Sequence, residues 1–192
     1  MNLRLEQDGR LRRIVLAAPE KRNLLDAAMC RELLRELREA AADDTVGAIL
    51  LEAEGPAFCT GVDLEAGEDL LTIGRRLSKP LVAAIKGFAT SGGVALLANA
   101  HVVVAAQGSS FGLTDIREGR WNQPAYRAVA DAIGERRAME LSLTGRIFST
   151  PDALSWGLVH MVAPAIELDD RAFETATALA NADPKVVREA LR

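Results

Sequence analysis

The sequence predicts an α/β domain with a layered sheet, and three observations carry that expectation. Apolar runs of strand length recur at Gly47–Ala53 (GAILLEA), Leu81–Ile85 and His101–Ala106. Between and after them lie stretches with helical spacing or helix caps. Strands that alternate with helices in this way bury a sheet beneath helices.

The elements follow in order. Leu3–Gln7 and Leu11–Leu16 flank Asp8-Gly9-Arg10 and read as a hairpin, Asp-Gly being a strong turn signal. Pro19 to Asn23 is a polar loop. Asp26 caps a helix from about Ala27 to Ala41, with Cys30, Leu33, Leu34, Leu37 and Ala41 on one stripe. After the Gly47–Ala53 strand, Gly55–Asp63 is a loop and Leu70–Leu77 a short helix. The Leu81–Ile85 strand runs into the small-residue loop Gly87–Gly93, which opens a helix near Val94–Asn99. Phe111–Asp115 is extended; Tyr126–Ile133 and Glu135–Leu143 are helices split at Gly134. Thr150-Pro151 starts a helix that ends near Trp156-Gly157, proline being suited to the first turn. Val159–Val162 is a last strand, Asp169–Ala182 a helix, and Asp183-Pro184 opens another.

Of 192 residues, 49% are hydrophobic and 26% charged, with a formal net charge of -4. An acidic balance argues against a general nucleic-acid binder, which presents a basic stripe. The two cysteines, Cys30 and Cys59, form no CxxC pair and no Cys/His cluster, so neither a disulfide framework nor a zinc site is expected. The opening residues lack a signal-peptide pattern, and Lys86, Asn99 and His101 break the longer apolar stretches. A cytoplasmic protein without a membrane span is the expectation.

Two loops carry the chemical interest: Gly55–Asp63 (GPAFCTGVD) and Gly87–Ala95 (GFATSGGVA), each directly after a buried strand. Small residues let a ligand approach the backbone. The second loop also presents free N–H groups at a helix start, which favour negative charge. Facing each other, two such loops donate two hydrogen bonds to one oxygen, an oxyanion hole. From spacing alone, a pair of ordinary tight turns stays equally open.

The segments AFCTGVDL (Ala57–Leu64) and KPLVAAIKGFATSGGVALLANA (Lys79–Ala100) resemble the two signature loops of the enoyl-CoA hydratase/isomerase (crotonase) superfamily. SSFGLTDIREG (Ser109–Gly119), Glu135–Pro164 and Glu20–Leu34 match in the same register. The resemblance implies a spiral of β-β-α units in two sheets ringed by helices, a single domain over residues 1–192 shortened at the C-terminus. It implies an acyl-CoA thioester substrate, with coenzyme A arriving as part of it and no separate cofactor or metal. It implies a homotrimer or a dimer of trimers. Backbone amides matching Cys59 and Gly92 would hold the thioester oxygen, with Cys59, Thr60, Gly61 and Val62 lining the CoA and acyl path. The Cys59 thiol is then incidental.

Relatives that hydrate enoyl-CoA use two glutamates. Here Ala95 and Asp115 stand at the matching positions. One carboxylate suits double-bond isomerisation better than hydration, and Asp115 is the expected acid/base. Glu118 is read as a surface charge; Trp121 serves the acyl pocket, the core or a subunit contact; His101 and His160 are structural; Lys21 and Arg22 face CoA phosphates or solvent. Three alternatives remain: a decarboxylating or non-catalytic member, a serine peptidase using Ser91, and a binding protein without turnover.

Overall fold

The computed structural model describes residues 2–191. The hairpin β1 (Leu3–Asp8) and β2 (Leu11–Leu16) turns at Gly9, whose φ of +55° favours glycine. Helix α1 (Ala27–Ala42) starts where the Asp26 side chain accepts from the N–H groups of Ala28 and Met29. Its inward stripe is Met29, Cys30, Leu33, Leu34, Leu37 and Ala40; the helical turn brings Ala40 to the core and leaves Ala41 half-buried.

Each central strand is followed by a short strand of a second sheet and then by a helix or helical turn. Strand β3 (Ala48–Ala53) leads to β4 (Ala57–Cys59) and α2 (Leu64–Gly67). After a 3-10 helix at Leu70–Arg76, β5 (Leu81–Ile85) leads to β6 (Phe88–Thr90) and α3 (Gly92–Ala98). Strand β7 (Val102–Ala106) leads to β8 (Ser110–Gly112), a 3-10 turn at Asp115–Glu118 and α4 (Gln123–Ile133). Then come α5 (Glu135–Thr144), β9 (Ile147–Ser149), α6 (Thr150–Ser155), β10 (Met161–Ala163), α7 (Leu168–Ala180) and α8 (Pro184–Ala190). The larger sheet runs β1-β2-β3-β5-β7-β10, antiparallel at β1-β2 and parallel elsewhere. The smaller runs β4-β6-β8-β9, antiparallel only at β8-β9. The result is a spiral of repeated β-β-α units in two sheets, as the resemblance implies.

Both faces of the central strands are buried, which is why they read as unbroken apolar runs. Ile49, Leu51, Leu81, Ala83, Ile85, Val103 and Ala105 face the main core, with α1, α3 and the smaller sheet. Ala48, Leu50, Val82, Ala84, Val104 and Ala106 face the other way, against Leu168, Ala172, Ala176 and Ala180 of α7. Fully burying one such branched side chain contributes roughly 1.5–3 kcal/mol.

Several elements differ from the expectation. Strand β8 ends at Gly112 and Asp115, expected in an extended piece, opens a 3-10 turn, while α2 falls between the first loop and the 3-10 helix at Leu70–Arg76. The loops at 55–63 and 87–93 contain β4 and β6, three-residue strands too short for an alternation to show. Strand β9 is equally short. Helix α6 is capped one residue earlier, by Ser149, whose side chain accepts from Asp152 N–H while Asp152 bonds back to Ser149 N–H, a capping box.

Candidate active site

The two signature loops meet beyond the carboxyl ends of β3 and β5. Asn23 fixes the first of them. It is fully buried, with φ of +52°; its Oδ1 accepts from Ala18 N–H (2.9 Å), and its Nδ2 donates to Glu54 O (2.9 Å) and Ala57 O (2.8 Å). Beyond β4, Leu25 N–H donates to Gly61 O (3.0 Å) and Asp63 N–H to Leu25 O (2.8 Å), a parallel bridge centred on Leu25 and Val62. A trans peptide sends its C=O and N–H in opposite directions. With Gly61 O turned to Leu25, the Val62 N–H turns away from it.

Gly92 stands against that nitrogen. A Cβ on Gly92 would lie 2.8 Å from Val62 N and 2.7 Å from Val62 Cβ. Gly92 is the first residue of α3, so its N–H has no carbonyl one turn back to bond. Neither the Val62 nor the Gly92 N–H donates a hydrogen bond among the described residues. Ser91 sets this turn with φ of +53°, a strained value for a residue with a side chain, held by Ser91 N–H to Gly112 O (2.7 Å). Thr90 Oγ1 donates to Thr60 O (3.0 Å) and ties the two loops together.

Cys59 sits differently from the expectation. It lies inside β4, paired with Ala89, and is fully buried. Its carbonyl meets the neighbouring glycine, since a Cβ on Gly93 would lie 2.1 Å from Cys59 O. Its thiol donates to Gly61 O (3.2 Å), and burial pushes it up to about 12. Of the segment Cys59–Val62, the residue seated against Gly92 is Val62. The sequence signal that separates the two is the Thr60-Gly61 turn between strand and bridge.

Asp115 begins the 3-10 turn after β8 and is 8% exposed. Asn122 Nδ2 approaches its Oδ1 at 3.4 Å, and Asn122 Oδ1 in turn caps α4 at Ala125 N–H (3.0 Å). Asp115 Oδ2 accepts no hydrogen bond among the described residues. The cleft around it is lined by Leu113, Ile116, Arg120, Trp121, Asn122 and Ser142. Neither Val62 nor Gly92 lines that cleft. Trp121 is 41% exposed and tilts against Tyr126 (5.4 Å between centroids).

The remaining residues fall as follows. Ala95 is fully buried in α3. Glu118 is exposed and pairs with Arg120. Lys21 and Arg22 are exposed beside the first loop, where Arg22 O accepts from Thr60 Oγ1 (3.2 Å). Ser91 Oγ shares a hydrogen bond with Thr114 Oγ1 (3.1 Å). Both histidine rings are engaged elsewhere: His101 Nδ1 accepts from Leu81 N–H (2.9 Å) and His160 Nδ1 from Val103 N–H (3.0 Å). Ser91 therefore has no base of the kind a peptidase triad uses among the described residues. No group of three or more His, Cys, Asp or Glu placed to hold a metal, and no helix long and apolar enough to cross a membrane, occurs among the described residues.

This fold, with its paired loops beyond β3 and β5, is the crotonase fold. The enoyl-CoA hydratase/isomerase family model matches residues 6–192, and the chain belongs to that family. It is similar to mevalonyl-coenzyme A hydratase of Aspergillus fumigatus, 32% identical over 91% of this chain and 71% of that one. It is similar to the rat mitochondrial enoyl-CoA hydratase domain-containing protein 3, 31% identical over 95% of this chain and 66% of that one. The crystal structure of the human protein of that name superposes over all of this chain and 82% of its own, with a TM-score of 0.92 and 29% identity. An enoyl-CoA hydratase from Mycobacterium smegmatis gives a TM-score of 0.93 at 27% identity, over 100% and 81% of the two chains. The chain thus spans about two thirds of the length of the curated relatives it matches.

Proposed function

We propose that this protein acts on an acyl-CoA thioester, holding the thioester oxygen between the N–H groups of Val62 and Gly92 and stabilising the enolate that forms there. The observation that carries this reading is the close approach of those two residues, whose N–H groups donate to nothing among the described residues. As the carbonyl becomes an enolate its oxygen gains negative charge, so both hydrogen bonds strengthen on the way to the transition state. That differential binding is what lowers the barrier. Gly61, Thr60 and Cys59 shape the wall that carries the pair.

The reaction we assign is double-bond isomerisation or hydration of an enoyl-CoA. Ala95 cannot carry a proton, which leaves Asp115 as acid/base. Asn122 steadies one carboxylate oxygen and leaves the other free to take a proton from one carbon and return it to another. Coenzyme A comes with the substrate and no further cofactor is required. The protein works in the cytoplasm as a homotrimer or a dimer of trimers in this reading.

A second reading is favoured by Ala95 itself: decarboxylation of a malonyl-type thioester generates the enolate without a base, and the same two donors stabilise it. The experiment offers 2-enoyl-, 3-enoyl- and malonyl-type CoA esters to the purified protein. Turnover of the enoyl esters supports the first reading; CO2 release alone supports the second; no turnover of any ester overturns both.

A further inference from the structure

Given the acyl-CoA reading above, on which this rests, we infer that Ser91 and Thr114 are a positioning pair, whose linked hydroxyls hold the Gly92 donor and the Asp115 carboxylate in fixed relation. Each stands immediately before one of those residues, and Ser91 Oγ and Thr114 Oγ1 share a hydrogen bond of 3.1 Å. The backbone pairing of β6 with β8 runs from Phe88 and Ser110 to Thr90 and Gly112, and ends with Ser91 N–H donating to Gly112 O (2.7 Å). Beyond it the two chains part, one into α3 and the other into the 3-10 turn at Asp115–Glu118. Among the described residues, the hydroxyl pair is the hydrogen bond that joins them past that point.

Two features of Ser91 reserve its hydroxyl for this bond. Its φ of +53° and ψ of -121° are values that glycine adopts freely and that a side chain makes costly. Serine at the head of a helix ordinarily caps it by accepting a backbone N–H. Ser91 heads α3, yet its side chain accepts none. The position thus bears strain and forgoes a cap, and the contact its side chain makes is the one with Thr114. Thr114 likewise caps nothing at the start of its 3-10 turn. Ser91 is buried and Thr114 half-buried, so water competes weakly for the shared bond.

The proposed chemistry gives the link its use. An enolate oxygen held at Gly92 fixes where the reacting carbons lie, and the Asp115 carboxylate has to reach those carbons to move a proton. A misplacement of about 1 Å costs on the order of 10²-fold in rate. Thr90 Oγ1 on Thr60 O (3.0 Å) ties the loops of the two donors together, and Asn122 Nδ2 reaches Asp115 Oδ1 (3.4 Å). The bond between Ser91 and Thr114 joins those two halves of the site.

The test compares Ser91→Ala, Ser91→Gly, Thr114→Val and the double variant Ser91→Ala/Thr114→Val on the CoA esters that wild type turns over. In each, kcat should fall about 10- to 10²-fold with KM little changed, and the double variant should be no slower than the slower single one. Thr114→Ser, which keeps the hydroxyl, should retain most of the rate. Stability should rank differently: Ser91→Gly, free of the strain, should melt at least about 2 °C above Ser91→Ala and yet be no faster. If Ser91→Ala does not fold, Ser91→Gly and Thr114→Val carry the comparison. Wild-type rates in variants without the bond, losses that multiply in the double variant, or rates that follow the order of melting overturn the inference. A wild type inert on every ester overturns the acyl-CoA reading and this pair with it; an active wild type with unaffected variants overturns the pair alone.

Discussion

Gly92 lies so close to Val62 that a single added carbon on the glycine would come within 2.8 Å of the valine nitrogen. Gly92→Ala therefore pushes the two loops apart at the point where both N–H groups are offered. We expect kcat on acyl-CoA esters to fall about 10²- to 10³-fold, the usual cost of one lost donor, with far-ultraviolet circular dichroism unchanged. Steady-state kinetics check it; a rate within twofold of wild type removes Gly92 from the oxygen site.

Asp115→Asn keeps the shape and the contact with Asn122 but cannot accept a proton as a carboxylate does. Isomerisation of a 3-enoyl-CoA should drop about 10²- to 10⁴-fold, the range for a lost acid/base. Binding of the ester, read by calorimetry, should change little. Equal rates in both proteins would show that the proton moves through another group.

Cys59 should be inert. Burial raises its thiol to about 12 and that of Cys30 to about 11, so neither supplies thiolate near neutrality. Titration with a thiol reagent at pH 8 should find no reactive cysteine in the native protein and two after denaturation. Activity should survive the reagent.

Asn23→Ala removes the acceptor of Ala18 N–H and the donor to two carbonyls at once. Each buried group left unpaired costs about 1–3 kcal/mol. The thermal midpoint should fall by at least about 4 °C, with a larger proportional loss in kcat than in ester binding.

His101 should make the fold sensitive to mild acid. Burial lowers its pKa from 6.5, so the ring stays neutral in the folded protein and accepts the Leu81 N–H at Nδ1. The unfolded chain takes up the proton near 6.5, the folded one only at lower pH. The contribution is thus present above about 6.5 and is lost as pH falls through that value toward the folded pKa. Urea midpoints should decline from pH 7 to pH 5 in wild type, with a shallower slope in His101→Gln.

Much of this was legible in the residues. The long apolar runs named β3, β5 and β7, and Asp26, Gly134 and Asp183-Pro184 marked helix ends in place. The three-residue strands β4, β6 and β9 were not legible, because two or three side chains cannot display a period. The loop pair was found from its glycines, but its inner geometry was not. Whether Cys59 or Val62 faces Gly92 depends on the Leu25 bridge, a contact between residues 37 apart in sequence. The link from Asp115 to Asn122 depends likewise on how the 3-10 turn folds back on α4.

The way α7 closes the second face of the sheet has a consequence for synthesis. Leu11, Leu50, Val82 and Val104 are covered by a helix spanning residues 168–180. Gly47 is pressed so tightly to the end of that helix that a Cβ there would fall 2.0 Å from Ala180 O. A nascent chain therefore exposes an apolar wall of parallel strands until α7 leaves the ribosome, an interval in which it is prone to stick to other chains. A ribosome stalled before that point would hold a product with half its sheet bare.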